Sequence, residues 1–207
     1  MSTDPDRFAD VTGAILLGGA SERMGGDKAQ TPLAGRPAAA QLALRLESLC
    51  GEVLLVGGHP PPGAPGRRVE DPPGPRSALR GLVGALRAAR TEKVLVLATD
   101  YYGITRELLL ALLASPETDA VVPRETGQIH PLCALYRRQE VLAPAREALA
   151  GGNLALHRLV EGLEVGFLEG DDLARFDAGG RALANVNTRA ELAAFHAASG
   201  AEADLPG

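Results

Sequence analysis

Apolar residues along this chain fall alternately into short unbroken runs and into longer stretches at helical spacing. Val11 to Leu17 is a β-compatible run that stops at Gly18-Gly19, and a polar, glycine-rich loop continues to Lys28. Pro37 to Leu49 has the spacing of a helix with Pro at its start, where the missing N–H costs nothing. Glu52 to Val56 is a strand stopped by Gly57-Gly58. His59 to Pro75 is so dense in Pro and Gly that it predicts an irregular loop, with Val69-Glu70-Asp71 as a brief extended piece. Further helices are predicted over 77–90, 105–114 and 139–150. Further strands are predicted over 93–98, 120–122 (ending before Pro123), 132–136 and 164–168. Thr188-Arg189-Ala190-Glu191 has the T-x-x-E form of a capping box and opens a last helix to about Ala198. The tail from Gly200 is expected to be disordered.

Strands and helices alternating from the start predict a three-layer α/β/α sandwich with a mostly parallel central sheet. The continuous apolar run Lys93 to Ala98 fits a strand buried on both faces. No repeat and no linker between two apolar cores is visible, so one domain is expected, its core over about residues 11 to 198.

Composition adds exclusions. A length of 207 residues with 45% hydrophobic and 23% charged residues fits a folded domain. Net charge is −5 without a long basic run, which argues against a general binder of nucleic acid or anionic membranes. No apolar signal-peptide core or membrane-length stretch occurs, so a cytoplasmic location is expected. Cys50 and Cys133 suit neither a disulfide framework nor a metal site and read as buried small hydrophobes. Of 21 basic residues only Lys28 and Lys93 are lysine. Lys93, just before a strand, reads as a solvated edge residue, whereas Lys28 closes the glycine loop, where an ammonium serves as a point charge to phosphate.

In an open α/β sheet, ligands bind beyond the carboxyl ends of the strands. Gly18-Gly19, Gly57-Gly58 and Asp100 should converge there. In the first loop, Leu16 to Lys28, the glycines Gly18, Gly19, Gly25 and Gly26 let backbone amides approach phosphate oxygens, while Arg23 and Lys28 add positive charge. The spacing is neither that of a Walker A loop nor that of a G-x-G-x-x-G fingerprint. Asp100, just past a buried strand, is placed either to hold Mg²⁺ or to cap a helix. Asp71 is either a turn residue or a ligand contact. Asn185 and Asn187 either satisfy local backbone or face a ligand. His130, before Pro131, is either a surface loop residue or part of the site.

The stretch Leu16 to Lys28 followed by Leu33-Ala34-Gly35-Arg36-Pro37 resembles the signature of nucleotidyltransferases with a Rossmann-like fold. More closely it resembles the molybdenum cofactor guanylyltransferases, the MobA family. Asp71, Asp100, His130-Pro131-Leu132-Cys133-Ala134-Leu135-Tyr136-Arg137 and Asn185-Val186-Asn187-Thr188 correspond to later landmarks of that family. The resemblance implies transfer of GMP from GTP to the phosphate of molybdopterin or its molybdenum form, with Mg²⁺ required. It also implies hand-over of the product to a molybdoenzyme or its chaperone. It assigns Leu16, Leu17, Gly18, Gly19, Gly25, Gly26, Lys28, Gly57, Asp71 and Asp100 to the nucleotide, Asp100 to the metal, and His130, Asn185 and Asn187 to the acceptor. Arg23, Lys28 and Asp100 would be catalytic. Gly18-Gly19 after Leu17 is the guanylyl-like form. The chain departs from the family at Asp100-Tyr101-Tyr102-Gly103, where a Pro usually follows, at Ser77-Ala78-Leu79-Arg80-Gly81, where the family has Gly-Pro-Leu-x-Gly, and at Gly57, where Asn is common. These departures keep two alternatives open, namely CTP or another phosphorylated acceptor, and a nucleotide-binding accessory protein without turnover.

Overall fold

The computed structural model describes residues 7–18, 32–33, 36–115, 117–177, 180–184, 186, 191 and 194. In chain order its first elements are β1 (Phe8–Leu16), β2 (Pro32–Leu33), β3 (Arg36–Pro37), α1 (Ala38–Leu49), β4 (Cys50–Val56), β5 (Arg67–Val69), α2 (Ala78–Ala88), β6 (Lys93–Ala98) and α3 (Arg106–Leu113). Then follow β7 (Ala120–Glu125), β8 (Gln128–Ile129), β9 (Cys133–Arg137), α4 (Arg138–Ala150), α5 (Leu156–Glu161), β10 (Val165–Glu169) and α6 (Gly170–Ala174).

The main sheet runs β10-β7-β9-β6-β1-β4-β5, with β8 hairpinned on β7. Along that path only β9 is reversed, lying antiparallel to both β6 and β7. All other neighbours are parallel, so β1, β4, β5 and β6 end at the same edge.

Side chains of each strand point alternately to two helical layers. On β1, Val11 and Ile15 join one core with Leu42 and Leu46 of α1 and Leu108 and Leu112 of α3. Ala14 and Leu16 join the other, with Leu82 and Leu86 of α2, Val141 of α4 and Leu159 of α5. The three layers follow from that alternation. At Gly13 an added Cβ would lie 2.9 Å from Leu46 Cδ1, so α1 packs directly on the backbone of β1. At the amino edge, Glu52 is half-buried and held by its partners: it accepts from Thr12 Oγ1 at 3.2 Å and from Arg67 Nη2 at 2.8 Å. Both cysteines are buried, as expected, and burial raises the pKa of each, that of Cys50 to about 12. No helix among the described residues is long and apolar enough to cross a membrane.

Several expectations are corrected. The extended piece of the Pro-rich loop is Arg67–Val69, two residues before the predicted one, because it pairs with Leu54 to Val56 of β4. Strand β7 runs through Pro123 to Glu125. Its register with β9 ends at Val121, so no ladder N–H is needed at Pro123, whose carbonyl accepts from His130 N at 2.9 Å. Pro37 is the N-cap of α1, one position earlier than the first helical residue. Lys93 opens a central strand, paired with Val11 and Arg137, and is half-buried. The capping box lies outside the described residues apart from Glu191, as does the tail from Gly200.

Candidate functional site

The four parallel strands β1, β4, β5 and β6 deliver Leu17-Gly18, Gly57-Gly58, Glu70-Asp71 and Thr99-Asp100 to one edge of the sheet. Two further backbone bonds extend the ladder past the strand ends, from Leu17 N to Val56 O at 2.9 Å and from Gly57 N to Val69 O at 2.8 Å. The chain then turns sharply. Gly57 and Gly58 have φ of +68° and +45°, where L side chains are strained.

Asp71 is the carboxylate that this geometry brings to the glycines. A Cβ on Gly18 would lie 3.7 Å from its Oδ2, and one on Gly57 would lie 2.9 Å from the same atom. Oδ2 accepts from Arg80 Nη2 of α2 at 2.9 Å. Gly58 serves the same approach from the other side, since a Cβ there would meet Leu17 Cβ at 2.8 Å.

The loop carrying Asp100 is held from three directions. Ile104 O accepts from Arg45 Nη1 of α1, whose pKa is lowered by burial despite the attraction of Glu107. The Asp100 carbonyl accepts from Val186 N at 3.2 Å. The Tyr101 hydroxyl meets His130 Nδ1 at 3.4 Å, with the two rings edge to face. Val186 packs with Ala38 and Tyr102, which brings it against the Asp100 loop. Asp100 itself does not cap α3; Thr105 does, its side chain accepting from Leu108 N at 3.2 Å.

His130 is not a surface loop residue. It is buried to 4% exposure, and burial lowers its pKa from the ordinary 6.5. Its Nε2 is buried and has no hydrogen-bond partner among the described residues. Gly19, Arg23, Gly25, Gly26, Lys28, Asn185 and Asn187 lie outside the described residues.

Among the described residues no cluster of three or more His, Cys, Asp or Glu side chains could hold a metal. Mg²⁺ is usually held by one or two carboxylates together with substrate phosphates rather than by an all-protein cage. Asp100 at the sheet edge fits that role.

Sequence reading missed Arg80. The available signal was its position three residues after Ser77, whose hydroxyl accepts from Arg80 N at 3.1 Å and caps α2.

Residues 13–165 match the MobA-like NTP transferase domain family. A probable molybdenum cofactor guanylyltransferase of Chloroflexus aggregans is 36% identical over 191 residues, covering 88% of this chain and 91% of that protein. A molybdenum cofactor guanylyltransferase of Desulfosudis oleivorans is 28% identical over 193 residues, covering 91% and 95%. Among solved structures, molybdopterin-guanine dinucleotide biosynthesis protein A of Archaeoglobus fulgidus superposes with a TM-score of 0.74 at 20% identity, covering 87% of this chain and 94% of that one. At that identity the likeness is one of fold.

Proposed function

Because this chain belongs to the MobA-like NTP transferase family, we propose that it transfers GMP from GTP to the phosphate of molybdopterin or its molybdenum form. The observation that carries this reading is the convergence of Gly18, Gly57 and Asp71 at the carboxyl edge of the sheet.

The acceptor phosphate oxygen attacks the α-phosphorus of GTP in line with the departing pyrophosphate. One P–O bond forms to the acceptor, and the bond from the α-phosphorus to the bridging oxygen breaks. No side chain acts as nucleophile, so rate comes from positioning and charge neutralisation. The bare backbone at Gly18 admits the nucleotide closely, the missing side chain of Gly57 makes room for the Asp71 carboxylate, and Leu16 and Leu17 shape the start of the loop. Gly19, Gly25 and Gly26 supply amides to the triphosphate, and Lys28 and Arg23 stabilise charge on the leaving pyrophosphate. Asp100 would hold Mg²⁺, which supplies charge neutralisation at the phosphates when bound. His130, Asn185 and Asn187 would contact the acceptor; the buried, unpartnered Nε2 of His130 is the atom suited to that task. A cytoplasmic location and hand-over of the product to a molybdoenzyme or its chaperone complete the reading.

Calorimetric titration with GTP, CTP, ATP and UTP in Mg²⁺ tests it. Selective GTP binding is expected, and a preference for CTP would replace guanylyl with cytidylyl transfer.

A further inference from the structure

Segment 70–77, between β5 and α2, carries Asp71 and is fastened by the helix that follows it. Arg80, in the first turn of α2, donates from Nη2 to Asp71 Oδ2 at 2.9 Å and from Nη1 to Gly74 O at 2.9 Å. One planar guanidinium therefore spans the loop, a geometry that a lysine ammonium cannot reproduce. The backbone of Arg80 is fixed in turn by its N–H to Ser77 Oγ. Its Nε is buried with no acceptor among the described residues, so the side chain is held by the two bonds of its outer nitrogens.

The pairing also has an electrostatic consequence. Asp71 is the carboxylate lying against Gly18 and Gly57, and an uncompensated negative charge there would repel a triphosphate. We propose that Arg80 is a positioning residue of the nucleotide site. It holds the Asp71 carboxylate against Gly57 and cancels its charge. Oδ2 is taken by Arg80, and Oδ1 is left to accept from a hydroxyl or N–H of the nucleoside. This inference rests on the nucleotide-transfer reading above and names the residue that shapes one wall of its site. Arg80 fills the variable position of the Gly-Pro-Leu-x-Gly pattern, while Ser77 and Ala78 stand where that pattern has Gly and Pro, so the entry to α2 is fastened here by a side-chain clamp rather than by a proline's restricted backbone.

The test is a double-mutant cycle read by calorimetric binding of Mg·GTP to the full chain. Arg80→Met keeps the unbranched stem and removes the guanidinium. Because the pair is partly solvent-screened, with about a fifth of each side chain exposed, Arg80→Met and Asp71→Asn are each expected to weaken binding about tenfold. The double variant is expected to bind no more weakly than the weaker single one, since Arg80 acts through Asp71. Arg80→Lys, which keeps charge and stem, should fall between wild type and Arg80→Met, and it can carry the same cycle if the Met variant does not fold. Wild-type affinity in Arg80→Met, or losses that simply multiply in the double variant, overturns the inference while leaving nucleotide transfer in place. A wild-type protein that binds no nucleoside triphosphate overturns both.

Discussion

Between the Asp71 carboxylate and the α-carbon of Gly57 there is no room for a methyl group: a Cβ at Gly57 would lie 2.9 Å from Oδ2 and 3.0 Å from Oδ1. Gly57→Ala therefore meets two obstacles, the displaced carboxylate and a φ of +68°. The backbone alone costs about 1–2 kcal/mol for an L residue in that region. Gly63 offers the comparison, with φ of +75° and nothing within 4 Å of an added Cβ. Both Ala variants should lower the urea midpoint, but only Gly57→Ala should weaken GTP binding. Equal GTP affinities in the two would separate Gly57 from the nucleotide site.

Lys28 and Asp100 carry the charge neutralisation of the proposed reaction. Lys28→Ala and Asp100→Asn should each reduce turnover by about a hundredfold, the usual cost of losing one electrostatic contact in a transition state. Steady-state rates at saturating GTP check this, with thermal melting to establish that both variants fold. A wild-type rate in either removes that residue from the site.

His130 is buried with its pKa lowered from 6.5 by desolvation. The unfolded chain, with an ordinary imidazole, binds a proton more readily than the folded one. The stability tied to neutral His130 is therefore complete above about pH 6.5 and is lost progressively as pH falls toward the lowered folded value. Urea midpoints at pH 7.5 and 5.5 should differ more for wild type than for His130→Gln. Identical pH dependence would show that His130 binds its proton as readily in the folded protein as in the unfolded chain.

Thr126 and Gly127 form the two-residue turn between β7 and β8, with φ of +46° and +86°. Positive φ at both central positions suits Asn-Gly and is unfavourable for a β-branched residue. Thr126→Asn should raise stability by about 0.5–1 kcal/mol without altering GTP binding. Chemical denaturation measures the first, calorimetry the second.

The strongly buried parts of the fold were readable in the sequence because they answer to local pattern alone. Lys93–Ala98 is a strand with the predicted bounds, since every residue from Val94 on is buried. Where tertiary pairing overrides local composition, reading failed. Arg67 and Arg68 look like loop residues but pair with β4, and Pro123 looks like a terminator but lies where no ladder donor is required. The reversal of β9 depends on which neighbours it finds, and α5 and α6 are too short to show a helical period. The same division holds at the site. Strand ends and glycines place Gly18 and Gly57 at the sheet edge, but local sequence leaves Asp71 open between a turn residue and a ligand contact, and Arg80 owes its place to how α2 folds back over segment 70–77. Tyr101, likewise, reaches His130 across 29 positions of sequence.

Pyrophosphate release is the most direct measure of the central claim. Purified protein is incubated with Mg²⁺, molybdopterin and one nucleoside triphosphate at a time, and pyrophosphate is followed against controls lacking the acceptor. Release that requires molybdopterin and is fastest with GTP is the predicted result. No release with any nucleotide, despite measurable GTP binding, would contradict it and leave a nucleotide-binding protein without turnover.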